Sequence, residues 1–587
     1  MAEKRSKARS FQASWSKNKV IRVVVTTIGL AIASALLSII PNQVSPADAQ
    51  GPGGIAGTPV VATGSGVVNF AELAHQEALR PPMSGSAQGV AVPSNSYVEP
   101  NSTLNPRVPG APAARTQPSV ASPGPSLDYM GLDDIAPLFV PPDTMGAVGL
   151  ARVFDTLNNN YRVQDKSTGA TINTLSMNSF WASTGATGPF DPKTFYDPYT
   201  NRFIVVAVSD GASTASAILV GVSVGSDPNG AYILFKVPAC GASFPCGAGV
   251  TDWWADYPAV GFNKNWIAVA VNMFPNAGGS FTQSRLLVVD YTQLLGGTWS
   301  AKYFIGLTDF TVQPCVTYSS TENTLYAPVH FNSSAASYRL NTITGTPGNP
   351  TYSQGALKTH TLAPLSSGWF SAPSGSNVLP QMAGSGGPGD VSPINSGDSR
   401  IMKCTFRNGN IWYSQTIGLP AGGPLTHTAA QWVRLDTGGN DVDGGRVEDP
   451  TATSTNGGKW YAYPTLAVNA LNDVLMGLTQ FASTQWPSAG YVFRSGFDAA
   501  GTMHDPYIYK AGEGMYWKTY ASPCSTGRNR WGDYSATMVD PVDDTTMWTL
   551  QEYSKPEGPL TGCDSGVWST WWARVSIQRI FLPLITK

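Results

Sequence analysis

Along most of the chain the apolar residues come in short runs rich in Val, Ile, Tyr and Trp, broken by Asp, Asn, Pro and Gly. This is the pattern of short strands joined by tight turns, not of amphipathic helices. The runs recur as a unit: an apolar stretch, a turn, a second apolar stretch and usually a third. The central stretches include "NRFIVVAVSD" from Asn201, "NWIAVAVNMF" from Asn265, "DVLMGLTQF" from Asp473 and "TTMWTLQEY" from Thr545. Asp197-Pro198, Asn263 and Asp540-Pro541 stand in the preceding turns, where such residues fix the backbone. A unit of ~50–90 residues and three or four strands, repeated about seven times, is the mark of a propeller blade. The expected fold class is therefore all-β: a single β-propeller of seven blades of antiparallel strands, with six or eight allowed, after a disordered N-terminal stalk. A two-sheet sandwich is the rival, but it would not repeat one strand-turn-strand unit along the whole chain.

The flanks read differently. Lys4 to Arg22 is basic, Val23 to Ile40 is uncharged and apolar, and Ala47-Asp48-Ala49 gives a small-x-small cleavage pattern. Residues 1–49 are read as a signal peptide or an uncleaved signal-anchor, the latter being the sole expected tie to a membrane. Residues 50–127 are rich in Pro, Gly and Ser and are expected to be a flexible linker, with a helical turn or two between Val67 and Leu79. The propeller is placed at 128–578. The tail at 579–587 reads either as a closing strand or as a sorting tail.

Composition narrows the function. Of 587 residues 13% are charged, about half the usual share, with 61 Gly, 45 Pro and 11% aromatics, and the net charge is −2. No long basic run follows the N-terminus, so no nucleic acid is expected as a partner. Export makes the six cysteines candidates for disulfides, and the expected pairs are Cys240–Cys246, Cys315–Cys404 and Cys524–Cys563. The location is extracellular, secreted or at the cell surface, and the chain is expected to be a monomer.

"PPDTMGAVG" from Pro141, "DWWADYPAVGFN" from Asp252 and "RWGDYSATMVDP" from Arg530 resemble marks of a group of secreted bacterial β-propellers of uncharacterised function. The resemblance spans roughly Gly131 to Ile577. It implies fold and export, not a reaction.

Aligning the repeats puts Asp143, Asp191, Asp256 and Asp533 at the starts of innermost strands, with Asp398 or Arg400 as the fifth copy. Second strands would end at Asn159, Asp210, Asn272, His330, Gln480 and Glu552, at the same mouth of the channel. The site expected there is Asp143, Asp191, Asp256, Tyr257, Asn272, His330, Asp533, Tyr534 and Glu552. Two readings stay open. In one, each Asp accepts backbone N–H groups of a neighbouring loop and each Tyr packs between blades. In the other, converging carboxylates take a ligand; Asp143, Asp256 and Asp533 are then candidate calcium ligands. The leading functional reading is a binding module for an extracellular glycan or surface protein. The alternative is a glycoside hydrolase or lyase, with Asp143, Asp256, Asp533 and Glu552 as candidate catalytic acids. No sialidase-type Asp-box, HExxH or G-x-S-x-G occurs, and the arginines show no obvious triad in the sequence.

Overall fold

The computed structural model describes residues 54–80, 120–133, 141–158, 160–330, 336–366, 377–383, 393–420, 425–519, 528–556 and 566–577. Their regular structure is almost all strand, mainly antiparallel, and the longest helix among them is Phe70–Ala78. The first strands of successive sheets form a closed circuit. Met145–Val148 packs on Phe190–Asp197, then follow Trp253–Phe262, Val316–Tyr318, Ile401–Arg407, Trp460–Val468 and Ala536–Val539, and the last returns to the first. The chain is a β-propeller, and these strands surround its axis.

The sheets interlock because both faces of each are apolar. Arg202–Ser209, Trp266–Pro275 and Val474–Ala482 are buried along almost their whole length, as a strand must be when it is covered on both sides. Trp412 stacks on Trp432, and Trp548 meets Trp572 edge to face, so the tryptophans serve mainly as filling in and between sheets. Between the third and fifth sheets the inner strand is short. Val316–Tyr318 pairs in parallel with both neighbours, while Gln313 and Cys315 donate to the carbonyls of Pro328 and Tyr326 in its own sheet. The Cys315–Cys404 disulfide bonds these two inner strands covalently. Cys240–Cys246 closes a loop beside the third sheet, and the Arg285 guanidinium holds that loop by donating to the carbonyls of Ala239, Phe244 and Pro245. Two disulfides fit an oxidising compartment. The expected Cys524–Cys563 pair, the signal segment at 1–49 and the tail at 579–587 lie outside the described residues. No described helix is long and apolar enough to cross a membrane.

Closure uses the N-terminal side of the propeller. Leu127–Asp133 pairs with Val567–Val575 and supplies the outermost strand of the last sheet. Asp155 of the first sheet reaches this strand: its carboxylate accepts from the Leu132 amide and the Thr570 hydroxyl. A Cβ on Gly131 would fall 2.3 Å from Asp155 Oδ2, so the close approach requires glycine there.

Within the expected linker at 50–127, residues 54–80 need correction, with the helical turns expected between Val67 and Leu79 present as the helix Phe70–Ala78 and residues 81–119 outside the described residues. Ile55–Ala56, Thr58–Pro59 and Gly64–Asn69 add outer strands to the fourth, third and second sheets in turn, walking backwards around the ring. The helix then starts at Phe70, capped by the Asn69 side chain on the Glu72 amide. Phe70 is fully buried against Phe154 and Phe180, at 5.7 and 6.1 Å between ring centres. The glycines that read as flexibility are needed for proximity: a Cβ on Gly64 would lie 2.0 Å from the Thr184 carbonyl oxygen.

Two outcomes follow for stability. Phe70→Ala is expected to cost about 3 kcal/mol in denaturant unfolding, as a buried aromatic truncation does, whereas Phe497→Ala, at a residue 83% exposed, should change little. Asp155 is pushed up from 3.8 to about 6, chiefly by burial. The unfolded chain therefore releases this proton first, so its contribution is full below pH ~4 and declines as pH rises to about 6. Unfolding measured from pH 4 to 7 should fall less steeply in Asp155→Asn than in the wild type.

Candidate functional site

The strand starts gather at one end of the axis, and most sheets mark the spot with the same backbone conformation. Asp143, Asp191, Tyr257, Thr311 and Tyr463 have φ of 53°, 54°, 53°, 55° and 56°. Such left-handed geometry suits Asp but strains Tyr and Thr, at a cost of about 1 kcal/mol or more each. Side chains of other sheets hold it in place. Asn158 Oδ1 accepts from the Asp191 amide at 2.6 Å, Asn272 Oδ1 from Thr311 at 3.0 Å, and Thr416 Oγ1 from Tyr463 at 3.1 Å. Asp143 accepts from the Asp533 amide (2.8 Å) and the Asn158 amide group (2.7 Å). Asp191 accepts from the Tyr257 amide (3.2 Å) and the Tyr534 hydroxyl (2.8 Å). For Asp143 and Asp191 the repeated acid is a clamp between sheets.

Asp256 and Asp533 stand apart: both remain partly exposed at the mouth. Asp256 Oδ1 accepts only the next residue's amide, at 3.0 Å, among the described bonds. Asp533 is paired with Arg530 at 2.5 Å. Their proton affinities diverge. Burial and then the charges of Asp191 and Asp533 push Asp256 well above the ordinary carboxylate value. Burial also works to raise Asp533, but Arg530, Arg400 and Arg528 outweigh it and leave that carboxyl lowered. Asp143 and Glu552 are held high by burial and neighbouring carboxylates. Glu552 is buried beside Gly532, where a Cβ would come within 2.9 Å of Oε1.

Cations and aromatic rings interleave with these acids. Arg400 is bonded to Asp398, and its guanidinium carbon lies 4.0 Å from the centre of the Tyr257 ring. Tyr257 and Tyr534 are 4.7 Å apart, and the Lys193 ammonium rests against the Tyr534 ring. Burial lowers Lys193 to about 7 against the pull of Asp191, Asp143 and Asp533. Arg528 donates to Asn395 Oδ1 at 3.2 Å and is lowered to about 10 by burial and by Arg530.

The structure thus brings Asp143, Asp191, Asp256, Tyr257, Asp533, Tyr534 and Glu552 together. Asn272 is spent on Thr311 and Ser284. His330 is buried and lowered to about 4, so it is neutral across physiological pH. Asp210 belongs to a separate pair with Lys236 at 2.8 Å. Asn159 lies outside the described residues, and its neighbour Asn158 makes the contacts. Arg400, Arg528 and Arg530, which no obvious pattern in the sequence ties together, all lower the Asp533 carboxyl. Alternation along "RNRWGDY" could have placed Arg528 and Arg530 on one side of the chain, but nothing local ties Arg400 to them. No group of three or more His, Cys, Asp or Glu among the described residues is arranged to hold a metal ion, and the arginines stand where the calcium reading needed a cation.

No family model and no curated protein matches the chain. Solved structures it is similar to include a hypothetical selenium-binding protein from Sulfolobus tokodaii, at 9% identity and a TM-score of 0.38, covering 64% of this chain and 82% of that one. An alpha-L-arabinanase from Penicillium chrysogenum aligns at 11% identity and 0.32, over 64% of this chain and 90% of its own. An ulvan lyase, described as a new family of polysaccharide lyase, aligns at 9% and 0.33, over 74% and 93%. Likenesses at this level leave the propeller to rest on the strand circuit itself.

Proposed function

We propose that this is an exported propeller whose mouth cleaves an extracellular polysaccharide, with Asp256 as general acid and Asp533 as its ionised partner. One observation carries the reading: of two carboxyls on one mouth, Asp533 is ion-paired with Arg530 at 2.5 Å while Asp256 accepts only a backbone amide among the described bonds, an asymmetry that lowers the first carboxyl and leaves the second raised. That split is how paired carboxyls divide acid and base roles. Asp256 would give its proton to the glycosidic oxygen as the C–O bond breaks. Asp533 would stabilise the positive charge developing on the sugar or take a proton from water. Arg528, which has no carboxylate partner among the described ion pairs, is placed to orient an acidic group on the sugar through its planar fork of donors.

The binding-module reading keeps one observation in its favour. Arg530 already pairs with Asp533 and Asp398 with Arg400, so two of the mouth's charged groups are engaged before any substrate enters. Turnover separates the two. A glycan array followed by reducing-sugar assays on the glycans that bind should show release of sugar ends. Asp256→Asn should lower kcat by about 10²–10⁴-fold while binding persists. Binding with no turnover by the wild type would leave the module reading standing.

The pH dependence has a definite sign. Activity needs Asp533 ionised and Asp256 protonated. kcat/KM should therefore fall at acid pH below the ordinary carboxylate range and fall again as pH rises through the elevated Asp256 value. A profile that climbs steadily to pH 9 would rule out Asp256 as the acid.

A further inference from the structure

Below the mouth the axis holds a second cluster that the proposed chemistry does not use. Lys403, on Ile401–Arg407, stretches across the channel and donates to the carbonyl of Thr537 on the seventh inner strand. The side chain is buried, and burial alone lowers its ammonium to about 7. This sets it apart from Lys193, whose charge is supported by three carboxylates. No acidic group among the described residues acts on Lys403.

Lys403 also lines a cavity between the inner strands, together with Thr194, Tyr318, Met145, Phe195 and Met538. The cavity is small, ≈ 20 Å³, where one water needs ~10–15 Å³, so it has no room for a sugar. Thr194 Oγ1 is buried with no hydrogen-bond partner among the described residues. An ammonium carries three donors and Thr537 takes one, so two remain.

We propose that this narrow half of the channel binds one small monovalent anion, of halide or formate size, on Lys403 and the Thr194 hydroxyl. A buried charge without an opposite charge is costly, and an anion in contact removes that cost. A single positive charge in an apolar wall balances one negative charge and leaves a second uncompensated, which disfavours sulfate and phosphate. The site is independent of any activity at the mouth.

The test is thermal melting of the purified chain in sodium chloride, bromide, formate and gluconate at one ionic strength, gluconate being too large to enter. The melting temperature should be about 2 °C or more higher in the anions that fit than in gluconate. Lys403→Met should show no such difference. Equal melting in all four salts overturns the proposal, and so does a halide shift that survives in Lys403→Met, since it would come from elsewhere on the protein. Should that variant fail to fold, crystals of the wild type soaked in bromide give the same answer. An anomalous peak in contact with Lys403 Nζ supports the site, and a channel without one overturns it.

Discussion

Closing sheets into a ring forces the start of every first strand to one point on the axis. Anything repeated at that position in the chain is therefore concentrated in space, and acidic residues repeated there repel. The protein meets the constraint in three ways. Asp143 and Asp191 are tied to backbone amides and a tyrosine hydroxyl of other sheets. Asp533 is surrounded by arginines. Asp256 and Glu552 are held towards their protonated forms. The ties of Asp143 and Asp191 depend on the ring being closed, because their partners come from different sheets, whereas Arg530 reaches Asp533 from three residues away and only Arg400 comes from another sheet.

The fold was legible because a strand buried on both faces leaves an apolar run that no surface helix imitates, and because the runs recur with the same turn residues before them. What was not legible was the outer wrap at 54–79. Its strands are two to six residues long and rest on the edges of sheets hundreds of residues away, so no local periodicity marks them. Gly64 and Gly66 looked like linker composition, while their actual role is to let a backbone lie against Ser183 and Thr184. Composition reports what a residue permits; it does not report which neighbour demands it.

At the mouth the repeat alignment named acids that the structure brings together, but it did not tell their surroundings apart. Asp256-Tyr257 and Asp533-Tyr534 look like copies, yet Tyr257 takes the left-handed position at its strand start and Tyr534 does not. In the second sheet that position is held by Asp191, so the aligned acids are offset by one residue. A shift of one along an extended chain turns a side chain to the opposite side. That is why Asp191 faces its neighbour's backbone while Asp256 faces the opening. The arginines were harder to see, since Arg400 and Arg530 come from different sheets and meet only in space, around Asp533 and Asp256.

Two lysines in the same channel show how much depends on neighbours and how little on residue type. Both are buried and both are lowered to about 7. Lys193 reaches that value as a balance between lost hydration and three carboxylates, so changing Asp191, Asp143 or Asp533 would move it. Lys403 reaches it by lost hydration alone, and the acids at the mouth do not act on it. The upper half of the axis is thus a set of charges that act on one another, while the cavity of the lower half has Lys403 as its one charged lining residue. A propeller can keep two such environments on one axis because its inner strands run the length of the channel and present different residues at each depth, and Lys403 reaches across to the seventh strand between them.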